Sequence, residues 1–485
     1  MQQVDESSNN FLEHFLKIGS GTVITIIVGL ITTPIITRIV KPYEYGQLSI
    51  FQMYTNIAVM VLCLGLDQAL VRFFYDSDSR DYKKALIKFC VLLPLSITVL
   101  SGAFFLLIVN FSNIKFEFND FVSLLLVINI LLALLNRMAI LVLRVTYDSG
   151  AYSIASILYR IFYVVFAIFL VELFPSHSFD GLCIGVIMGY FISTLYSMIR
   201  KRSYWSFKNN YKLKNRLEIL KFGLPFILSM GLTQLFEALD KISINYFCDY
   251  SDVGIYSSAM SIINIFAVVQ TTFNAVWGPM QVEHYVKDPD NTEFIKKGNQ
   301  LITVIMFAIG LSLILLRNVF VLLLGKSFRG AAQILPFLIF NPVMYTISET
   351  TCSGIGVSKK SYLNIIVALG ACICNFIGNT ILVPLIGPRG AAISTGFSYF
   401  VFWLLRTVFS NKYYYVDYSI EKFLLITLIS FGYAFYNTFF YNSLISIIIY
   451  FVCILILCLL YKKSIVMGVE IFRKQFQQLK NRKAL

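Results

Sequence analysis

Charge is scarce in this chain. Only 14% of its 485 residues are charged, where a water-soluble chain carries about 25%. Hydrophobic residues make up 58%, and the mean hydropathy is +0.74. So little polar surface cannot cover so much apolar mass, which excludes a water-soluble fold. Histidine is scarcer still: His14, His177 and His284 stand far apart and support no zinc site or proton relay. The nine cysteines show no CxxC spacing and lie mostly in apolar runs, where a thiol is a small apolar filler. No Walker-type phosphate loop is present, so the chain has no sequence means of hydrolysing ATP. No basic stripe with interleaved aromatics appears, so the net charge of +14 does not point to nucleic acid. The opening MQQVDESSNN carries no basic residue, and the first apolar run is too long for the core of a signal peptide. The chain is therefore expected to keep its own start, with that run as the insertion signal.

Long apolar runs are what it has in abundance. They fall at about 18–39, 48–70, 85–109, 121–145, 151–173 and 181–200, and after a basic break at about 221–247, 253–280, 298–324, 331–355, 361–386 and 389–410. Two more follow at about 422–440 and 443–461, parted only by Tyr441 and Asn442. A membrane-spanning helix needs ~20 apolar residues, so the expectation is an all-α integral membrane protein of about fourteen transmembrane helices. Counting loop by loop from a cytoplasmic N-terminus gives 29 Lys and Arg inside and 6 outside. That bias predicts both termini in the cytoplasm and an even number of spans.

The chain also repeats itself. Leu16-Lys17-Ile18-Gly19 returns as Leu220-Lys221-Phe222-Gly223, and Glu44-Tyr45-Gly46 as Asp252-Val253-Gly254, an offset of 208 in the second case. Gly181 with Tyr190-Phe191 returns as Gly390 with Tyr399-Phe400. Six runs separate the copies, so both enter the membrane from the same side. This is a parallel repeat about an axis along the membrane normal, and such lobes usually enclose a cavity opened alternately to each side. The expected organisation is a six-helix lobe over 1–200, a basic cytoplasmic linker over 201–220 and a second six-helix lobe over 221–412. Two further helices and a basic tail follow over 413–485. A membrane scaffold or receptor of duplicated ancestry would show the same repeat.

The stretch Gly19 to Phe74 has a Thr- and Gly-rich first helix, Pro34-Ile35-Ile36-Thr37-Arg38, Tyr43-Glu44-Tyr45-Gly46 and Leu64-Gly65-Leu66-Asp67-Gln68-Ala69-Leu70-Val71-Arg72-Phe73. It resembles the opening of the bacterial O-antigen and capsule repeat-unit flippases, the Wzx-like group of the multidrug/oligosaccharidyl-lipid/polysaccharide exporter superfamily. Leu239-Asp240-Lys241, Val253-Gly254-Ile255-Tyr256 and Gly354-Ile355-Gly356-Val357-Ser358-Lys359-Lys360 resemble the same group. The resemblance implies two parallel-repeat six-helix lobes in a V plus two C-terminal helices. It also implies a bacterial inner membrane location and a cargo: a glycan repeat unit on polyprenyl pyrophosphate, turned from the inner to the outer leaflet. Membrane lipid and the polysaccharide polymerase machinery are the other implied partners.

Such a cargo needs a polar, preferably cationic, cleft, because desolvating a pyrophosphate and sugar hydroxyls is costly. Intramembrane ionisable residues are the natural candidates. Arg137 lies eight residues from the inner end of its run and Arg160 nine from the inner end of the next, both ~12–14 Å deep at 1.5 Å per residue. Arginine offers phosphate a fixed fork of donors and a permanent charge; alternatively, each caps a buried carbonyl or snorkels. Ser229, Thr233, Glu237 and Lys241 form a polar stripe at a spacing of four, with Asp240 beside it. Asn264 and Asn274 suit sugar hydroxyls and Trp277 a sugar face, although helix-to-helix hydrogen bonding explains the amides equally well. Pro34, in a helix with Thr22, Thr25, Gly29 and Thr32 on one face, suggests a bending gate, and close packing through small residues suits the same face. Glu237, Asp240, Glu349 and Asp67 are the carboxylates able to carry H+ or Na+ as a coupling ion; no other cofactor is expected.

Two other function classes share part of this pattern. A drug or metabolite cation antiporter of the same superfamily would typically lack the last two helices and favour acidic residues at depth, where this chain has Arg137 and Arg160. A many-span glycan polymerase would need long outer loops, and here Asn110 to Asp120 is typical. The topology is tested by labelling: cysteines placed at Ser77 and Ser206 are expected to react only from the cytoplasm and at Asn113 only from outside. Reaction from the opposite side would overturn the assignment.

Overall fold

The computed structural model describes residues 31–111, 116–206, 211, 213–358, 360, 362–440, 442–468 and 470. Among them there is helix and no strand. Low charge and long apolar runs leave the backbone to satisfy its own hydrogen bonds, and the helix does so within one segment. After a helical stretch at 31–39 come α1 (Pro42–Leu62), α2 (Leu66–Phe73), α3 (Arg80–Phe111), α4 (Asp120–Val145), α5 (Ser149–Leu173) and α6 (Ser178–Arg200). Then follow α7 (Arg216–Phe247), α8 (Tyr250–Ile263), α9 (Ala267–Lys287), α10 (Glu293–Val321), α11 (Ala331–Leu338) and α12 (Phe340–Thr351). The series ends with α13 (Ser353–Val357), α14 (Tyr362–Ile386), α15 (Pro388–Asn411), α16 (Ile420–Phe439) and α17 (Ser443–Leu460).

This is a multi-pass membrane protein. Among the described residues ten helical segments are long and apolar enough to cross a bilayer, or eleven if α1 and α2, bent by 51° at their junction, count as one span. The expected count was about fourteen. Of the remaining runs, 18–39 lies largely outside the described residues. The runs 221–247 and 422–440 are helices, α7 and α16, that are not among the ten. Thr22, Thr25 and Gly29 also lie outside the described residues, as does Asn113.

The chain forms two compact units. The first holds residues up to Asn245 together with Asp249–Ser257 and Leu324–Ser327. In it α5 and α6 make a tight hairpin. Asp148 caps α5 through the Ala151 N–H at 3.3 Å and accepts hydrogen bonds or ion-pairs with Arg200 at 3.2 Å and Lys201 at 3.0 Å from the end of α6. Burial pushes its carboxyl up, but the Lys201 and Ala151 hydrogen bonds and the two positive charges outweigh this and hold it below its ordinary value. Small residues on α6 let the helices close: a Cβ on Gly189 would lie 2.6 Å from the Tyr159 carbonyl oxygen.

The same unit carries a set of contacts related by the repeat. A Cβ on Gly46 would meet the Tyr250 carbonyl oxygen at 1.7 Å, and one on Gly254 the Pro42 carbonyl oxygen at 2.0 Å. Gly46 and Gly254 differ by 208 positions, and so do Pro42 and Tyr250. The Ser49 and Ser257 hydroxyls, again 208 apart, hydrogen-bond to each other at 2.6 Å. Gly325 N–H donates to Thr37 Oγ1 at 3.1 Å, while Asn245, the mate of Thr37, donates to Glu117, the mate of Gly325. When i touches j's mate and j touches i's mate, the contact is isologous and a two-fold axis runs through it. Here the axis is a pseudo-axis passing by Ser49 and Ser257. Glu117 breaks the equivalence. Its carboxylate also accepts from Tyr54 at 2.8 Å and Tyr250 at 2.7 Å, while its mate is a glycine.

In the second unit α14 packs along α15, and α12 packs on α15 through Thr407 Oγ1 donating to Thr351 Oγ1 at 2.8 Å. The appended α16 and α17 are bound to α10 by buried Arg317, which donates to Asn437 Oδ1 and to the Ile314 carbonyl. Ser446 of α17 donates to the same Asn437 oxygen at 2.7 Å.

The pseudo-symmetric contact makes a direct prediction. Ser49→Cys with Ser257→Cys should form a disulfide readily in membranes, and Gly254→Ala should lower stability by about 1–3 kcal/mol through overpacking. Absence of cross-linking in the double cysteine variant, with Gly254→Ala melting like the parent, would contradict the packing.

Candidate functional site

The site grows from a break in a helix. The chain leaves α1 through Leu64 and Gly65, both left-handed, at φ 54° and 66°. Glycine is at ease there; leucine is strained, by ~1–3 kcal/mol. Gly65 is also needed for room, because a Cβ on it would lie 2.0 Å from the Gly223 carbonyl oxygen on α7. This turn starts α2 and places Asp67 in its first turn, where the N-terminal dipole favours a carboxylate.

Asp67 is buried, and Arg137 of α4 binds it. Arg137 Nε donates to Asp67 Oδ2 at 3.0 Å and Nη2 donates to the same oxygen. Gln68 Nε2 donates to it as well, at 3.2 Å. The two partners are unequally covered: the Asp67 side chain is 6% exposed and that of Arg137 40%. What the arginine faces is a cavity of about 460 Å³ lined by Asn56, Met60, Asn136, Arg137, Tyr190 and Gln234, with Val59 and Ala133. Asn136 Nδ2 donates to Thr194 Oγ1 at 3.2 Å. The cavity thus offers a guanidinium, amides and a phenol to a polar guest. Arg137 lies eight residues from the end of α4, ~12 Å from it at 1.5 Å per residue, so this polarity sits well inside an apolar helix.

Arg160, ~16 Å along α5, does not line the cavity. Its charge lies within reach of the Tyr159, Tyr163 and Tyr190 hydroxyls, and its Nε is buried without a hydrogen-bond partner among the described residues. Tyr190 belongs to the cavity wall and its ring lies 4.6 Å from that of Tyr159. The two arginines are therefore related through Tyr190.

The other candidates fall elsewhere. On α7, Glu237 is exposed and Lys241 half-buried; each is in electrostatic reach of the other and of Asp240, and neither forms a contact ion pair among the described residues. Asp240 is buried and accepts the Tyr256 hydroxyl. The side chains of Ser229 and Thr233 lie outside the described set. Pro34 sits in the stretch 31–39, its carbonyl accepting from Thr37 at 3.3 Å. In the second unit Asn264 is exposed in the single 3-10 turn between α8 and α9, and Asn274 Oδ1 is buried without a partner among the described residues. Trp277 was expected to offer a face to sugar. Instead Phe273 stacks on it at 5.7 Å and Phe294 at 5.8 Å, Gly298 gives its ring edge room, and it is 7% exposed, so it has no open face in this structure.

Glu349 is held by Arg406, whose Nη1 donates to Glu349 Oε1 at 2.6 Å and to Ser348 Oγ at 3.0 Å. The guanidinium also lies 5.5 Å from the Phe402 ring and 5.9 Å from that of Tyr345. Arg406 is 8% exposed. This second intramembrane ion pair faces a packed core, unlike the first.

Sequence reasoning missed Asn56, Asn136 and Gln234 as cavity residues, and Arg406 as the partner of Glu349. Asn136 had a signal: an amide beside an arginine in an otherwise apolar run. Arg406 had none, since a cation near the end of an apolar run reads as a topology signal.

Comparison with known proteins agrees with this architecture. The family model described as polysaccharide biosynthesis protein matches residues 11–284, more than half of the chain. The uncharacterized membrane protein MJ1068 of Methanocaldococcus jannaschii is 26% identical over 417 residues, covering 79% of this chain and 80% of its own. Among solved structures, the lipid II flippase MurJ in an inward closed conformation superposes with a TM-score of 0.66 at 19% identity, over 92% of this chain and 99% of MurJ. A multidrug resistance MATE family transporter of the MOP superfamily, inward-facing, gives 0.58 at 16% identity, over 81% of this chain and 94% of that one. At these identities the likeness is one of fold.

Glu349→Ala would strand Arg406 in a packed core, and breaking a buried pair costs about 3–5 kcal/mol. A large drop in melting temperature in detergent is expected, with a smaller one for Glu349→Gln, which keeps an acceptor. Equal melting of Glu349→Ala and the parent would show that the pair is not a structural tie.

Proposed function

The chain belongs to the polysaccharide biosynthesis protein family, and from that premise we propose that it is a flippase for polyprenyl-pyrophosphate-linked glycan repeat units. In this reading it turns them from the inner to the outer leaflet of the plasma membrane by alternating access, with both termini in the cytoplasm. One observation carries the reading: a half-exposed arginine opening onto a polar cavity, inside an apolar helix. A diphosphate cannot shed its water in hydrocarbon without replacement donors, and a guanidinium with flanking amides supplies them. Arg137 is the direct ligand of the phosphates; Asn56, Asn136 and Gln234 take oxygen atoms of the diphosphate or the first sugar. Arg160 acts on the same site through Tyr190. Lys241, with Glu237, extends the polar surface available to the glycan from α7. The lipid tail stays in the bilayer, so the cavity need only fit the head group.

Coupling to H+ or Na+ has a defined cost at three of the four candidate carboxylates. Asp67 holds Arg137, Glu349 holds Arg406 and Asp240 holds Tyr256. An ion at any of them competes with that contact for the carboxylate's charge. The chemistry assigned to the chain is transport, with no covalent step. Its natural partner is the polysaccharide polymerase machinery that consumes the flipped unit. A cation antiporter of the same superfamily fits less well, since a cavity whose exposed charge is an arginine repels cationic drugs.

Surface glycan and membrane protein level, measured together, test the reading. Arg137→Gln should lose most of the glycan, by tenfold or more (~1.4 kcal/mol per factor of ten), with the protein still in the membrane. Arg137→Lys should retain part of it, because charge persists while the fork is lost. Arg160→Gln should reduce it less than Arg137→Gln. Normal glycan from well-inserted Arg137→Gln would overturn the assignment and transfer the phosphate site to Lys241.

A further inference from the structure

We infer that Asp67 is an internal stand-in for the substrate's phosphates: its carboxylate occupies the Arg137 guanidinium when the cavity is empty and gives it up when a diphosphate enters. The inference rests on the proposed phosphate role of Arg137 and goes further, by assigning Asp67 the part of a competing anion rather than a fixed structural counter-ion.

Three features of the pair argue for this. Coverage is one-sided: the arginine side chain is 40% exposed and the carboxylate 6%, so an anion arriving through the cavity meets the cation and not the carboxylate. The geometry is also incomplete. Both arginine bonds converge on one oxygen, Oδ2, which Gln68 shares. A full fork uses two oxygens in parallel, which a diphosphate can offer and Asp67 here does not. The third feature is the contrast with Glu349 and Arg406, where cation and carboxylate are both largely covered, at 10% and 19% exposure, and the guanidinium is packed between Tyr345 and Phe402. That pair is a tie; the one at Arg137 faces a polar cavity.

The exchange has a consequence for the backbone. Asp67 lies in the first turn of α2, directly after the left-handed residues Leu64 and Gly65. Gly65 abuts Gly223, and the Phe73 ring at the far end of α2 lies 5.6 Å from that of Phe222. A buried carboxylate deprived of its cation is unfavourable, so it takes up a proton and α2 shifts with it. Beside Arg137, the titratable groups in electrostatic reach of Asp67 among the described residues are the thiols of Cys63 and Cys90, and neither supplies a positive charge. Occupancy of the cavity is thereby reported to the α2–α7 contact.

The test is a titration of the purified full-length protein with farnesyl diphosphate as the probe. Asp67→Asn removes the competitor and should bind the probe tighter than wild type by about tenfold, the size of one charge-assisted hydrogen bond. Asp67→Glu should stay near wild type. Arg137→Gln should bind at least tenfold more weakly, on the same scale. If Arg137→Gln binds like wild type, the phosphate reading itself fails. If Arg137→Gln loses binding but Asp67→Asn binds no tighter, the phosphate reading stands and the stand-in role is overturned. A wild-type measurement covers the case in which Asp67→Asn does not fold. The probe should raise the reaction of Asp67 with a hydrophobic carbodiimide, which attacks protonated buried carboxyls; unchanged labelling at saturating probe would overturn the inference.

Discussion

A charge in hydrocarbon must be answered by another charge or by donors and acceptors that replace its water. The ion pair of Arg137 with Asp67 meets that constraint, and the arrangement of the first unit follows from it. The carboxylate is brought to the arginine by a helix break that only a glycine next to another backbone can make, at Gly65 against Gly223. The break in turn sets the 51° bend between α1 and α2. The arginine is covered by Asp67 on one side and opens onto the cavity on the other. The pair of Arg406 with Glu349 is by contrast packed into a core, and an unpaired arginine at that depth would be costly to insert.

The second organising fact is the repeat. Positions 208 apart meet one another at Ser49 and Ser257, and cross-wise at Gly46 with Tyr250 and Gly254 with Pro42. Duplication gives two copies of one surface, and two copies of one surface pack isologously at no extra design. The copies have also diverged. Glu117 accepts from Tyr54, Asn245 and Tyr250, while its mate Gly325 donates its N–H to Thr37. Arg137 likewise has an uncharged mate at Met344 or Tyr345, depending on the offset.

Much of this was legible in the sequence, and for physical reasons. Apolar run length and Lys/Arg bias are one-dimensional quantities, so the all-α membrane class could be read from them. The repeat was legible at Glu44-Tyr45-Gly46 and Asp252-Val253-Gly254 because glycine at a close backbone contact admits no substitute. Arg137 and Asp67 were legible singly, as charges out of place, but not as a pair: seventy residues separate them, and a helix break decides which way Asp67 points. Trp277 shows the opposite error. A tryptophan among amides reads as a sugar platform, and only the fold shows that Phe273 and Phe294 already cover its faces.

The central claim is that the cavity at Arg137 receives the diphosphate of a lipid-linked glycan. An experimental structure of the protein in lipid nanodiscs with a bound polyprenyl diphosphate tests it most directly. The account places the two phosphates against the Arg137 guanidinium, within hydrogen-bonding distance of Asn136 or Gln234, with Asp67 released. Phosphates bound elsewhere, with the bond of Arg137 to Asp67 intact, would contradict it.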